Sequence, residues 1–189
     1  VVNDQHFSHD CVTSRRPARA KLWTWNADKT PMPFRLEEGV KWHDGRPFTA
    51  RHVFGTVDRL TDKSSQKLRT NPRASWYRNL DFTSAASEYE VTLHLRHPQA
   101  SLLAMLASGL SPIYPCHVSM SQMRTRPIGT GPFKMQSFSE FQSIRLVRNP
   151  DYWKKERPYP DAIDFTIVNN PSTAALSFVA GRFDLTFPW

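Results

Sequence analysis

The chain has 189 residues, 39% hydrophobic and 12% aromatic, a composition that supports a packed core and excludes a disordered polymer. No apolar run approaches the ~20 residues of a membrane-spanning helix, and two cysteines, Cys11 and Cys116, are too few for a disulfide framework or a structural zinc site, leaving at most one bridge. The net charge of +8 could attract phosphate, but the basic residues are scattered apart from Arg15, Arg16, Arg19 and Lys21, and no nucleic-acid-binding motif accompanies them; a solvated basic surface is the favoured reading.

Residues 1–32 are the least legible. His6, His9 and Cys11 have loosely ligand-like spacing but lack a fourth partner for a metal. Trp23–Lys29 reads as a short strand entering a turn, with Asn26 and Asp28 as turn formers. Phe34 and Leu36 alternate with polar neighbours as a half-buried strand does, and Gly39 and Asp44-Gly45 mark turns that need positive φ. Thr49 is then placed to cap a helix whose Val53, Phe54, Val57 and Leu60 form one apolar face.

Residues 61–88, polar and serine-rich, predict a long loop containing the aromatic pair Trp76-Tyr77. Such aromatics can line a ligand site, and packing over a core edge explains them equally well. Val91, Leu93 and Leu95 alternate as a strand, Ser101–Ser108 predicts a short buried helix ended by Gly109, and Pro112, Pro115 and Pro127 mark a boundary. Strands are expected over Phe133–Phe138, Ile144–Val147 and Ile163–Ile167. Asn170-Pro171 then opens a helix that buries Ala174, Ala175, Phe178 and Val179 and stops at Gly181. Phe183, Leu185 and Phe187 alternate again, which predicts a βαβ unit with parallel pairing.

Gly129-Thr130-Gly131 resembles a phosphate loop only superficially, because Pro132 has no amide to offer and the third glycine and the lysine are missing; a tight turn with close backbone approach fits better. There is no G-x-S-x-G, H-E-x-x-H or C-x-x-C. His43 and Asp44 are adjacent and their side chains diverge, His94 and His97 have nothing nearby to complete a metal site, and Asp161 and Asp164 read as solvated. The residues give no support to an enzyme, a metal site or a cofactor.

Four segments in order, G-V-K-W-H-D-G-R-P-F-T-A (39–50), P-I-G-T-G-P-F (127–133), R-N-P-D-Y-W (148–153) and A-G-R-F-D-L-T-F (180–187), resemble the family 5 (dipeptide, oligopeptide and nickel) solute-binding proteins of bacterial ABC importers. The likeness covers roughly residues 20–189. It implies a mixed α/β fold of the class II periplasmic-binding-protein type, with two binding lobes joined by a hinge and an extra α/β subdomain on the first. Residues 1–19 would then be an irregular N-terminal segment, 20–112 the extra subdomain, and 113–189 part of lobe I, ending near the crossing into lobe II.

The resemblance further implies a monomeric, non-enzymatic receptor outside the cytoplasmic membrane that captures peptides, or in relatives nickel chelates, sugars or haem. It would deliver them to ABC permease subunits and would bind no nucleic acid. The residues matching ligand-touching positions of the family are Arg73, Ser75, Trp76 and Tyr77, and beyond the final strand Phe187 and Trp189. Three departures stand out. Arg51 and His52 replace acidic residues that usually follow Thr49-Ala50, which predicts loss of the capping-box carboxylate. The first 20 residues do not resemble the family's opening strands. The sequence shown stops at Trp189 and carries neither initiator Met nor signal peptide at Val1, so export is not readable from it. Two rival readings follow: a truncated gene remnant that binds nothing, and a basic nucleic-acid-binding module.

Overall fold

The computed structural model describes residues 7–9, 15–17, 20–24, 30–61, 74–107 and 111–186. Phe7–His9 (β1) and Arg15–Pro17 (β2) pair as a short antiparallel ribbon. Ala20–Trp23 (β3), Pro31–Leu36 (β4), Leu80–Ser87 (β5) and Glu90–Leu95 (β6) form an antiparallel sheet in the order β3-β4-β6-β5. The alternation anticipated at Phe34 and Leu36 is present: Met32, Phe34 and Leu36 point inward, and Val91, Leu93 and Leu95 join them from β6. Helix α1 (Ala50–Leu60) lays Val53 and Val57 on this layer, with Phe54 and Leu60 partly buried against it. Helix α2 (Leu102–Ala107) closes the core with Leu102, Leu103 and Leu106. Gly39 and Gly45 take φ of +76° and +85°, as the turn reading requires.

The expected loop over 61–88 is corrected from residue 74 onward, where a 3₁₀ turn (Ala74–Tyr77) leads into β5; residues 62–73 lie outside the described ones. Strand β5 is an edge strand with most of its side chains in water, so it needs no apolar alternation. Backbone pairing to β6 holds it instead.

From Ser111 the chain crosses to a second layer. The short helix α3 (Met120–Thr125) is capped by Ser119, whose Oγ accepts the Gln122 amide at 3.2 Å. Phe133–Ser139 (β7), Ser143–Arg148 (β8) and Ala162–Thr166 (β9) form an antiparallel sheet in sequence order, matching the expected strands. Helix α4 (Pro171–Val179) begins as anticipated, with Asn170 Oδ1 accepting the Thr173 amide at 3.0 Å, and stops at Gly181 with φ +70°.

Two expectations fail here. Helix α4 has no buried residue: Ala175, Phe178 and Val179 are exposed and Ala174 only half-buried. Residues 183–186 form no strand, so the βαβ unit is not made among the described residues; Phe187 lies beyond them. Alternation of apolar residues makes a strand only when a sheet edge and a covering layer receive it, and Leu185 is left 68% exposed.

Candidate functional site

The 3₁₀ turn that carries the sequence-predicted residues is held at its C-terminal end. Tyr77 is buried, its hydroxyl donating to Ser111 Oγ at 3.2 Å, and Ser111 in turn donates to the Met105 carbonyl at 2.8 Å. After the turn, the Asn79 amide clamps the end of β6: Nδ2 donates to His97 O at 2.7 Å and to Gln99 Oε1 at 3.0 Å, while Oδ1 accepts the His97 amide at 3.0 Å. On this base Ser75 is exposed and Trp76 half-buried against the core. Tyr77 thus faces inward, and Ser75 and Trp76 present the surface. Arg73, Phe187 and Trp189 lie outside the described residues, as does Cys11.

Motifs far apart in sequence meet at one junction. The His43 amide donates to Gly129 O at 2.9 Å, its Nδ1 accepts the Gly129 amide at 3.1 Å, and its Nε2 lies 3.0 Å from Gly131 O. Those roles fit a neutral ring protonated on Nε2. Asn149 Nδ2 donates to the same Gly131 carbonyl at 3.2 Å, and its amide donates to Pro132 O at 2.8 Å. The turn at 129–131 is therefore spent on internal hydrogen bonds around a fully buried Thr130, as the close-approach reading holds.

Beside this junction lies an open groove of about 830 Å³ that sequence reasoning missed, lined chiefly by Arg46, Arg51, His52, Phe54, Glu88 and His117. His117 Nε2 sits 2.8 Å from Asp44 Oδ2, and its ring meets Trp42 and His52 edge-on. The capping-box carboxylate is absent, as expected, but its role is filled, because His52 Nδ1 accepts the Thr49 amide at 3.1 Å. An acceptor nitrogen must be unprotonated, and burial, reinforced by His117 and Arg51 and opposed by the Thr49 carbonyl oxygen 3.3 Å from Nδ1 and by Asp44, lowers the His52 pKa from 6.5 to about 4. The N-terminus of α1 thus meets a neutral imidazole at this position, not a second positive charge.

Cys116 carries a free thiol that donates to the Arg51 carbonyl at 3.2 Å. Burial raises its pKa against the pull of Arg59 and Arg51, which keeps it a thiol and a poor nucleophile at neutral pH. Neighbours from 65 to 73 positions away, such as Cys116 to Arg51 and His117 to Asp44, leave no local trace in a sequence. Among the described residues no group of three or more His, Cys, Asp or Glu is arranged to hold a metal ion, and no described helix is long and apolar enough to cross a membrane.

Comparison with known proteins places these observations. A family model described as bacterial extracellular solute-binding proteins, family 5 Middle, matches residues 15–188. The chain is 28% identical over 177 residues to di/tripeptide-binding protein 2 of Pseudomonas aeruginosa, covering 82% of this chain and 33% of that protein. It is 26% identical over 185 residues to the glutathione-binding protein GsiB of Escherichia coli, covering 96% and 35%. The structure of HbpA2 from Haemophilus parasuis superposes with a TM-score of 0.87 at 23% identity, over 99% of this chain and 41% of that one. The chain spans about a third of the length of the curated relatives it matches. With three of its four signature segments converging on the His43 junction and the family model matching nearly end to end, the chain belongs to the bacterial extracellular solute-binding proteins, family 5.

Proposed function

We propose that this chain is part of the substrate-binding component of an ABC importer, capturing peptides or a related small solute outside the cytoplasmic membrane for delivery to permease subunits. The observation that carries the reading is the likeness to a di/tripeptide-binding and a glutathione-binding protein across most of this chain. Residues 20–112 serve as the extra subdomain and 113–189 as part of lobe I. Capture needs no bond-making: a ligand that bridges two lobes favours the closed form by its differential affinity and shifts the population toward it. Ser75 and Trp76, on their rigid 3₁₀ turn, together with Arg73, Phe187 and Trp189, contribute the ligand-facing surface from this side, while Tyr77 fixes the turn from below.

Thermal shift of the protein carrying both lobes, against di- and tripeptides, glutathione, nickel chelates and nucleotides, tests this. A melting temperature that rises with concentration of a peptide or glutathione supports the reading; a rise with nucleotides alone sinks it. Trp76→Ala should lower the unliganded melting temperature, since the ring packs partly on the core, and should in addition shrink the rise that peptide produces.

A further inference from the structure

The groove beside the His43 junction has no part in the capture reading, yet it is built like a small-ligand site. Its volume of about 830 Å³ falls in the range that small molecules occupy. Pro47 and Phe54 on the α1 side, and Ala85 and Ala86 at the end of β5, give it apolar walls.

Three polar groups on those walls lack partners. His52 Nδ1 is turned to the Thr49 amide, so the proton of the neutral ring sits on Nε2. No described residue accepts from that N–H, although His52 is only 7% exposed and lines the groove. A buried donor left without an acceptor is costly, and native structures rarely leave one. The Arg51 guanidinium, near enough to help depress the His52 pKa, makes no ion pair or hydrogen bond among the described residues. Glu88, across the groove on the β5–β6 hairpin, spends only its carbonyl, which accepts the Ala50 amide at 2.8 Å. Arg46 reaches Asp44 at 3.8 Å, but that carboxylate is held closer, at 2.8 Å, by His117.

Charge complementarity selects the occupant. Two guanidinium groups and a neutral N–H donor favour an oxyanion, which arginine binds through paired hydrogen bonds. The Glu88 carboxylate on the facing wall disfavours a doubly charged phosphate. We propose that this groove is a second ligand site, for a small monocarboxylate with an apolar body. The carboxylate accepts from His52 Nε2–H and Arg51, and the body lies on Pro47, Phe54, Ala85 and Ala86. The site is separate from the Ser75-Trp76 surface and does not depend on which solute that surface meets.

Titration of naphthylacetate into the isotopically labelled protein, followed by NMR of backbone amides and arginine Nε–H groups, tests the site. Saturable shifts are expected over residues 46–54 and 85–88, with half-saturation at about 1 mM or below for a ligand of this size. Neutral naphthylacetamide and dianionic naphthyl phosphate should each bind about tenfold more weakly, as should naphthylacetate to Arg51→Gln. His52→Glu keeps an acceptor for the α1 cap but removes the groove donor, and should abolish the shifts. His52→Gln, whose side-chain amide offers both an acceptor and a donor, should retain affinity within about threefold. Arg145→Gln removes a cation from the second sheet and should change nothing. Undisturbed signals from β4 and β6 show that each variant is folded. No saturation about tenfold above the expected concentration overturns the proposal. Equal affinity for the acetate and the acetamide does so too, because it reduces the site to apolar adhesion. Concentration-dependent shifts of the same residues without probe would make a second copy of the chain the occupant, and overturn it as well. None of these failures touches the capture reading, whose readout is the peptide response.

Discussion

Acidification should loosen the N-terminus of α1 through one side chain. In the folded chain His52 stays neutral down to a pKa of about 4, whereas the unfolded chain protonates near 6.5. Between those values the unfolded state binds more protons, so stability falls as pH falls, and above about pH 7 the group contributes no pH dependence. At pH 5 the unfolded form is protonated and the folded form largely is not, a differential of about 2 kcal/mol at 1.36 kcal/mol per pKa unit. His52 is 7% exposed but borders the open groove, so solvent screening makes this figure an upper limit. His52→Gln keeps an acceptor for the Thr49 amide but cannot titrate, and it should cancel this part of the slope. Urea unfolding followed by tryptophan fluorescence at pH 7.5 and pH 5 measures the difference for both proteins. Titratable groups remote from His52 affect both alike and drop out. Equal losses of stability in the two proteins would refute the assignment of His52 as a buried, neutral capping group.

Other substitutions probe separate contacts. A Cβ at Gly55 would sit 3.0 Å from Cys116 Sγ, so Gly55→Ala should be neutral or destabilising in the parent. In a Cys116→Ala background it should gain up to about 1 kcal/mol of helix propensity, a coupling that a double-mutant cycle of denaturation midpoints reads directly. Gly45→Ala meets no neighbour but must hold φ at +85°, and should cost about 1–2 kcal/mol of unfolding free energy; no change would refute the turn geometry. Tyr77→Phe removes the hydroxyl bonded to Ser111, and should cost about 1 kcal/mol in the same assay.

Much of the first sheet was legible because its signals are local. Thr49, the Gly39 and Gly45 turns, the α1 stripe and the alternation of β4 and β6 each bind a residue type to a backbone geometry within a few positions. Strand β5 escaped because an edge strand in water carries little periodic signal. The capping role of His52 escaped because a histidine is read from sequence as a potential cation, whereas burial holds this one neutral. The groove escaped because its walls come from α1, the β5–β6 hairpin and the segment at Cys116-His117.

By itself, the sequence determined the family and the order of local elements, since four short segments in fixed succession are specific and turns, caps and alternation act at short range. Tertiary structure alone decided where those segments meet, which is around His43, Gly131 and Asn149. It also decided that the apolar residues of α4 stay in water. An apolar pattern states that a surface favours burial; whether it is buried depends on a partner surface that no local pattern encodes.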